Sequence, residues 1–214
     1  MVRAGRDLRG ICALTFDDGG ADNASVLPPI LEELGAKATL FVCPGLFGQA
    51  HPFFGPGSGL RIMSEEELRA VAADPRIEVG SHTTDHTELN DAPAEEAYEV
   101  LESSRRLLAE ILGDPVHSFA YPRCEYSPAC PEAAERAGFE CAVTCGPSRG
   151  GWRPFEMPRV IVDPGDAGLR FELKHRGVMY GVWNTPPGRL ARALIRAAGR
   201  APERAGDQPD EGSG

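Results

Sequence analysis

Two short stretches of this chain hold residue types that can grip a metal ion. Asp17 and Asp18 stand side by side in Phe16-Asp17-Asp18-Gly19-Gly20, and His82 and His86 lie four apart in Ser81-His82-Thr83-Thr84-Asp85-His86. If the second stretch takes a helical turn, both imidazoles project from one face and can hold one ion. Two neutral imidazoles and one carboxylate leave coordination positions open for water and substrate, as catalytic zinc requires, and Asp17 or Asp18 can supply that carboxylate. Adjacent residues on an extended segment point apart, so the two aspartates divide into one ligand and one general base. The base would take a proton from water that the metal acidifies, which is the chemistry of amide or ester hydrolysis. The same residues have plainer readings: Asp-Asp-Gly-Gly is also an ordinary turn, and a His pair at this spacing also occurs on inert surfaces. A calcium loop fits poorly, with no Glu at the twelfth position and no Gly at the sixth.

Strands and helices must position these groups. Residues 11–16 form an apolar, β-prone run that stops at the carboxylates, 25–34 carry a helical pattern ending before Gly35, and 37–43 read as the next strand. Residues 44–62 are rich in Gly, Pro and Phe and too long for an ordinary connection, which is typical of a loop that shapes a site. Ser64 caps a helix reaching about residue 73, with Glu65, Glu66 and Glu67 in its first turn. Further strands are expected over 76–80, 116–121, 139–144 and 157–162, and helices over 94–112, 130–137, 169–175 and 185–199. Strands alternating with helices imply parallel pairing, and six such units suit an incomplete barrel. In barrels of that kind the working residues sit at the carboxyl ends of the strands, where Asp17, Asp18, His82, His86, Tyr121 and Arg123 all fall.

Composition narrows the class. A chain of 214 residues with 42% hydrophobic and 25% charged residues suits one soluble α/β domain, expected over 1–200, with a polar tail over 201–214 expected to be disordered. The net charge of -10 disfavours nucleic acid, whose phosphates demand clustered Lys and Arg. No stretch approaches the roughly 20 apolar residues of a membrane span. Arg189, Arg192, Arg196 and Arg200 recur at helical spacing and read as a solvated face or as a peripheral membrane contact. With no apolar leader before residue 11, a cytoplasmic location is expected, and with it reduced thiols at all six cysteines. Cys124, Cys130, Cys141 and Cys145 lack the paired CxxC spacing of a zinc knuckle.

Thr15-Phe16-Asp17-Asp18-Gly19, Ser81 to His86 and Phe119-Ala120-Tyr121-Pro122, in this order, resemble the three leading motifs of the polysaccharide deacetylase family, carbohydrate esterase family 4, which carries the NodB homology domain. The resemblance runs from about residue 11 to 162. It implies a distorted, incomplete (β/α) barrel and metal-dependent N-deacetylation of amino sugars. It also implies that Asp17 is the catalytic base and that Asp18, His82 and His86 bind one divalent ion, zinc or else cobalt or nickel. A backbone N–H of the third motif, near Tyr121 and Arg123, would stabilise the oxyanion.

The chain departs from that pattern in three places. The third motif commonly begins with an Arg that positions the base and ends in Tyr-Gly, where this chain has Ala120, Arg123 and Cys124; Arg159 is the candidate replacement, against the plainer reading of a surface Arg. The late Leu-x-His motif, whose imidazole protonates the leaving amine, is matched locally by Leu173-Lys174-His175, without the apolar strand expected before it. If His175 is not that acid, His51, His117 or water remains. The aromatic and acidic fourth motif is placed only loosely, at Trp152 and Asp163. A cytoplasmic enzyme would act on a small, nucleotide-linked or lipid-linked acylated amino sugar, and Phe47, His51, Phe53 and Phe54 of the long loop offer a surface for a sugar. Deformylation, opening of a cyclic ureide or imide, and a degenerate carbohydrate-binding barrel are the competing readings.

Overall fold

A computed structural model describes residues 12–53, 57–145, 153–163 and 165–175, without the side chain of His175. They form two compact units, one ending at Arg159 and the other beginning at Val160, a division inside the span expected as one domain. The expected helix over 185–199 and the tail over 201–214 lie outside the described residues.

The first unit is built on six parallel strands, β1 (Leu14–Phe16), β2 (Ala38–Val42), β3 (Ile77–Ser81), β4 (Ser118–Ala120), β5 (Cys141–Cys145) and β6 (Met157–Arg159). They are hydrogen-bonded in the order β1-β2-β3-β4-β5-β6, so every strand pairs with its neighbours in sequence. Between them run α1 (Ala21–Leu34), α2 (Glu65–Ala72), α3 (Ala94–Leu112) and α4 (Cys130–Arg136). The sheet curls as a half barrel, and a side chain from β6 reaches the end of β1: Arg159 donates to Thr15 Oγ1 at 3.0 Å.

Local sequence explains the helices. The Ser64 hydroxyl accepts from Glu67 N–H while the Glu67 carboxylate accepts from Ser64 N–H, a reciprocal cap that fixes the start of α2. In α3 the buried residues Ala97, Leu101, Ser104 and Leu108 recur every three or four positions, which turns one stripe to the sheet. α1 opens at Ala21, four residues ahead of the expected start, and closes on Gly35, whose φ of 58° a side chain would resist. β4 is shorter than expected at both ends, in part because the Val116 carbonyl is taken by Arg105 Nε at 2.9 Å.

Alternation along the strands sorts two cores. Leu40, Val42, Val79, Phe119 and Ala142 join the large cluster under the helices, while Phe41, Ala120 and Val143 form a small cluster on the other face with Met157 against it. Gly80 belongs to this inner face, where an added Cβ would lie 2.5 Å from Phe41 Cδ1 and 2.7 Å from Ser118 Oγ. Gly80→Ala is therefore expected to destabilise the fold by roughly 1–3 kcal/mol through overpacking, read as a lower denaturant midpoint at unchanged slope.

In the second unit α5 (Gly168–His175) is anchored by Lys174, whose ammonium pairs with Asp163 at 2.7 Å and also with Asp166. No helix among the described residues is long and apolar enough to cross a membrane.

Candidate active site

The carboxyl ends of β1 and β3 face each other across β2, and both run into tight, irregular turns. Asp18 (φ 68°), Thr83 (φ 63°), His86 (φ 65°), Arg123 (φ 51°) and Cys124 (φ 59°) are the non-glycine residues with left-handed backbone among those described. All five lie in the three motif segments, and each conformation costs on the order of 1–2 kcal/mol. The His82 to His86 stretch is thus not the helical turn that the spacing suggested. Two left-handed residues curl it instead, His82 N–H donates to Val42 O at 3.0 Å, and Gly45 N–H holds Thr84 O at 2.7 Å.

His82 is buried and its tautomer is set by a neighbour. Nδ1 lies 2.7 Å from the Ala120 carbonyl, which can only accept, so Nδ1 carries the proton and Nε2 keeps its lone pair. That Nε2 is 3.5 Å from Asp18 Oδ1, and His86 Nε2 is 3.5 Å from the same oxygen. One donor atom from each of Asp18, His82 and His86 lies within 4.8 Å of the others. Burial lowers the pKa of both imidazoles below the ordinary histidine value, so they are held neutral. Burial, with the neighbouring Asp17 charge, raises the Asp18 carboxyl against the opposing pull of His86, His51 and Arg123. Asp18 Oδ1 is buried without a hydrogen-bond partner. Three electron-pair donors aimed at one another, one of them an unsatisfied buried carboxylate oxygen, fit a cation between them.

Asp17 takes a different environment. Arg159 grips its carboxylate with both terminal nitrogens, at 2.6 and 2.7 Å, and rests over the Phe41 ring at 5.5 Å. Burial alone would raise the Asp17 pKa, but the hydrogen bonds and the charge of Arg159 oppose it and lower it below the ordinary carboxylate value. Its Oδ2 stands 4.0 Å from His82 Nε2, so an ionised carboxylate lies beside the three donors without joining them. The division of the two aspartates rests on the turn at Asp18 rather than on the extended strand that motivated it.

Other expected site residues are placed elsewhere. Tyr121 is fully buried, its hydroxyl donates to Phe155 O and its ring stacks on Tyr126 at 4.3 Å. Its N–H is spent on Val143 O, so both of its donors serve the fold rather than a substrate. Arg123 stays at the surface, paired with Glu88 at 2.5 Å and lying 5.3 Å over the Phe53 ring, which in turn packs edge-on against His86 at 4.6 Å. His117 precedes β4, at the opposite end of the strand from the site, and is paired with Glu140 on the surface. The His175 side chain, Trp152 and Phe54 lie outside the described residues.

Cys124 and Cys145 are joined by a disulfide with Cα atoms 5.3 Å apart, which corrects the expectation of six reduced thiols. The reason is topological: β4 and β5 are parallel neighbours, and the two cysteines end up side by side just past or at their carboxyl ends. Cys12, Cys43, Cys130 and Cys141 remain free. Thiol labelling of the unfolded, unreduced chain is expected to modify those four alone, and labelling of all six would refute the bridge. For a separation of 21 residues, Cys124→Ser with Cys145→Ser is expected to lower stability by about 3 kcal/mol in a denaturant titration.

The family model for polysaccharide deacetylases matches residues 5–142. YxkH of Bacillus subtilis, assigned by name to the polysaccharide deacetylases, is 29% identical over 160 residues, covering 74% of this chain and 53% of its own length. The chain thus spans about half the length of that curated relative. Among solved structures, the Streptococcus pyogenes deacetylase PplD, in complex with acetate, superposes with a TM-score of 0.61 at 23% identity over 75% of this chain and 68% of its own. IcaB from Ammonifex degensii superposes with a TM-score of 0.60 at 23% identity, covering 78% of this chain and 70% of its own. The half-barrel fold is shared with both structures, and the family match takes in the Asp17 and Asp18 turn, the His82 and His86 turn and the Tyr121 to Cys124 segment: the chain belongs to the polysaccharide deacetylase family.

Proposed function

We propose that this chain is a metal-dependent hydrolase that removes an N-acetyl group from an amino sugar. The observation that carries the reading is the pair of unlike carboxylates. Asp18 shares its Oδ1 with two neutral imidazoles at 3.5 Å, while Asp17, alongside, is kept ionised by Arg159.

Asp18, His82 and His86 would hold one divalent ion, with zinc as the first choice for a two-imidazole, one-carboxylate set and cobalt or nickel as substitutes. Such an ion supplies Lewis-acid polarisation of the acyl oxygen and lowers the pKa of nearby water. Asp17 then accepts the proton of the attacking water at its carboxylate, and the Arg159 fork fixes the direction in which that carboxylate faces. The Arg123 N–H is the proposed oxyanion donor. Cys124 N–H and Glu125 N–H in the same turn are already bonded to Tyr121 O and Pro122 O, and among the described residues nothing accepts from Arg123 N–H. The exposed edge of Phe53, with Arg123 and Glu88 beside it, offers a rim on which a sugar ring and its hydroxyls can rest.

The substrate belongs to the proposal too: a small, nucleotide-linked or lipid-linked acylated amino sugar in the cytoplasm. The Cys124–Cys145 bridge weighs against that compartment, because cytosolic thiols are kept reduced. Zinc-loaded and cobalt-loaded protein incubated with N-acetylated sugars, sugar nucleotides, glycolipids and soluble glycan oligomers should release acetate from at least one class. Release of formate alone from N-formyl analogues would reassign the reaction as deformylation. Metal-loaded protein that releases neither acid from any of them would overturn the deacetylase reading.

A further inference from the structure

The long connection between β2 and α2 carries a buried side chain that the scheme above does not use. Histidine in a loop is ordinarily wet, yet His51 is only 7% exposed. Its backbone is held within the excursion, because His51 N–H donates to Leu60 O, Ile62 N–H donates to Gln49 O, and Ala50 bridges Arg61. The excursion is fastened to the Asp17–Asp18 turn in its own right, through a Gly20–Ile62 bridge and Met63 N–H on Gly19 O. The ring is oriented as well. Phe53 N–H donates to Nδ1 at 3.4 Å, so in the neutral ring Nε2 carries the proton, and Phe53 wedges between the His51 and His86 rings at 5.7 and 4.6 Å.

The protonated Nε2 points at the candidate metal centre. It stands 3.9 Å from Asp18 Oδ2, whereas His82 and His86 each approach the other oxygen, Oδ1, at 3.5 Å. That distance exceeds a hydrogen bond and is an attraction between an N–H dipole and a carboxylate. Asp18 therefore has its two oxygens addressed from two sides, Oδ1 by the imidazole pair and Oδ2 by His51. We propose that His51 is a positioning residue: its Nε2–H engages Asp18 Oδ2 and so aims Oδ1 at the ion held with His82 and His86. Carboxylate ligands in metal sites are themselves oriented by donors behind them, and loss of such a partner typically weakens metal binding 10–100-fold. A role as a further ligand is disfavoured by the tautomer, because a protonated nitrogen has no lone pair to give. This inference rests on the metal site of the proposed function.

The test uses the full chain and the metal ion alone. Zinc and cobalt dissociation constants are measured for wild type, His51→Ala and His51→Gln, with the cobalt absorption spectrum and the melting temperature of the metal-free protein recorded for each. His51→Ala is expected to bind both ions 10–100-fold more weakly, with the cobalt spectrum unchanged in shape because the donor set is the same. His51→Gln, which places an amide N–H near the lost Nε2–H, should recover most of that affinity. Unchanged affinity in His51→Ala overturns the proposal. A changed cobalt spectrum with no recovery in the glutamine variant also overturns it, by making His51 a ligand. Weakened binding that follows a drop in the metal-free melting temperature equally in both variants overturns it in favour of a packing role. A wild-type chain that binds neither ion overturns the metal-site reading itself, which separates the two failures.

Discussion

Replacing Asp17 by asparagine is expected to lower kcat for acetate release by about 10²–10⁴-fold while zinc remains bound, because an amide of the same shape cannot accept the proton of water. Asp17 lies outside the group of three donors, so its loss should leave the metal dissociation constant nearly unchanged. Arg159 would keep a neutral partner, and the loss of a charge-assisted contact is expected to reduce stability by roughly 2 kcal/mol. The effect on kcat must therefore be read well below the melting temperature. The companion change is Arg159→Met. The Arg159 hydrogen bonds and charge oppose burial and hold the Asp17 carboxyl low, so their removal lets its pKa rise. The acid limb of the kcat/KM profile should then move to higher pH, with activity recovered on the alkaline side. An unshifted limb would mean that Arg159 does not govern the base.

His82→Ala is expected to abolish stoichiometric zinc binding, with a loss greater than the roughly 100-fold that removal of an orienting partner causes. It would also deprive the Ala120 carbonyl of its donor and open a hole at a buried position, which is expected to cost about 1–3 kcal/mol of stability. His86→Ala keeps the measurement clean. The His86 side chain is 10% exposed and no hydrogen bond of its ring supports the fold among the described residues, yet its Nε2 faces the same Asp18 oxygen. Calorimetric titration of both variants should show the same failure to bind. Retention of tight binding in both would remove Asp18, His82 and His86 as the metal site.

Much of this arrangement was legible in the sequence, for reasons that can be stated residue by residue. The apolar run that stops at Asp17 and the capping pair of Ser64 and Glu67 are local signals, and local physics delivered them: α2 and α3 begin and end within a residue of where their patterns place them. The geometry of the histidine pair was not legible, because spacing alone suggested a helical turn and carries no record of the left-handed Thr83 and His86. Tyr121 was misplaced although a signal existed. Phe119 and Tyr121 are two apart in the run expected as a strand over 116–121, so period-two alternation puts them on one face, and both join the helix-covered core. Long-range pairs divided: Arg159 was the candidate partner of Asp17 and the structure joins the two, whereas nothing in the sequence tied Cys124 to Cys145. That Cys124 meets Cys145 follows from β4 lying beside β5, a relation that only the assembled sheet supplies. His51 left a faint trace as the lone imidazole in a glycine- and proline-rich loop, but nothing local marks it as buried.

The sheet order has a consequence for biosynthesis. Each strand docks on the one made just before it, so a nascent chain can add β2 through β5 in turn without waiting for any later segment. Asp18, His82 and His86 are all in place once β4 has joined β3, because the Ala120 carbonyl orients the His82 ring. The guanidinium that fastens Asp17 arrives 142 residues after it, on the last of the described strands. A ribosome-bound or truncated chain that stops short of β6 would carry the three donors and an untethered carboxylate, so the clamp on the proposed base is complete only in a chain finished at least through Arg159.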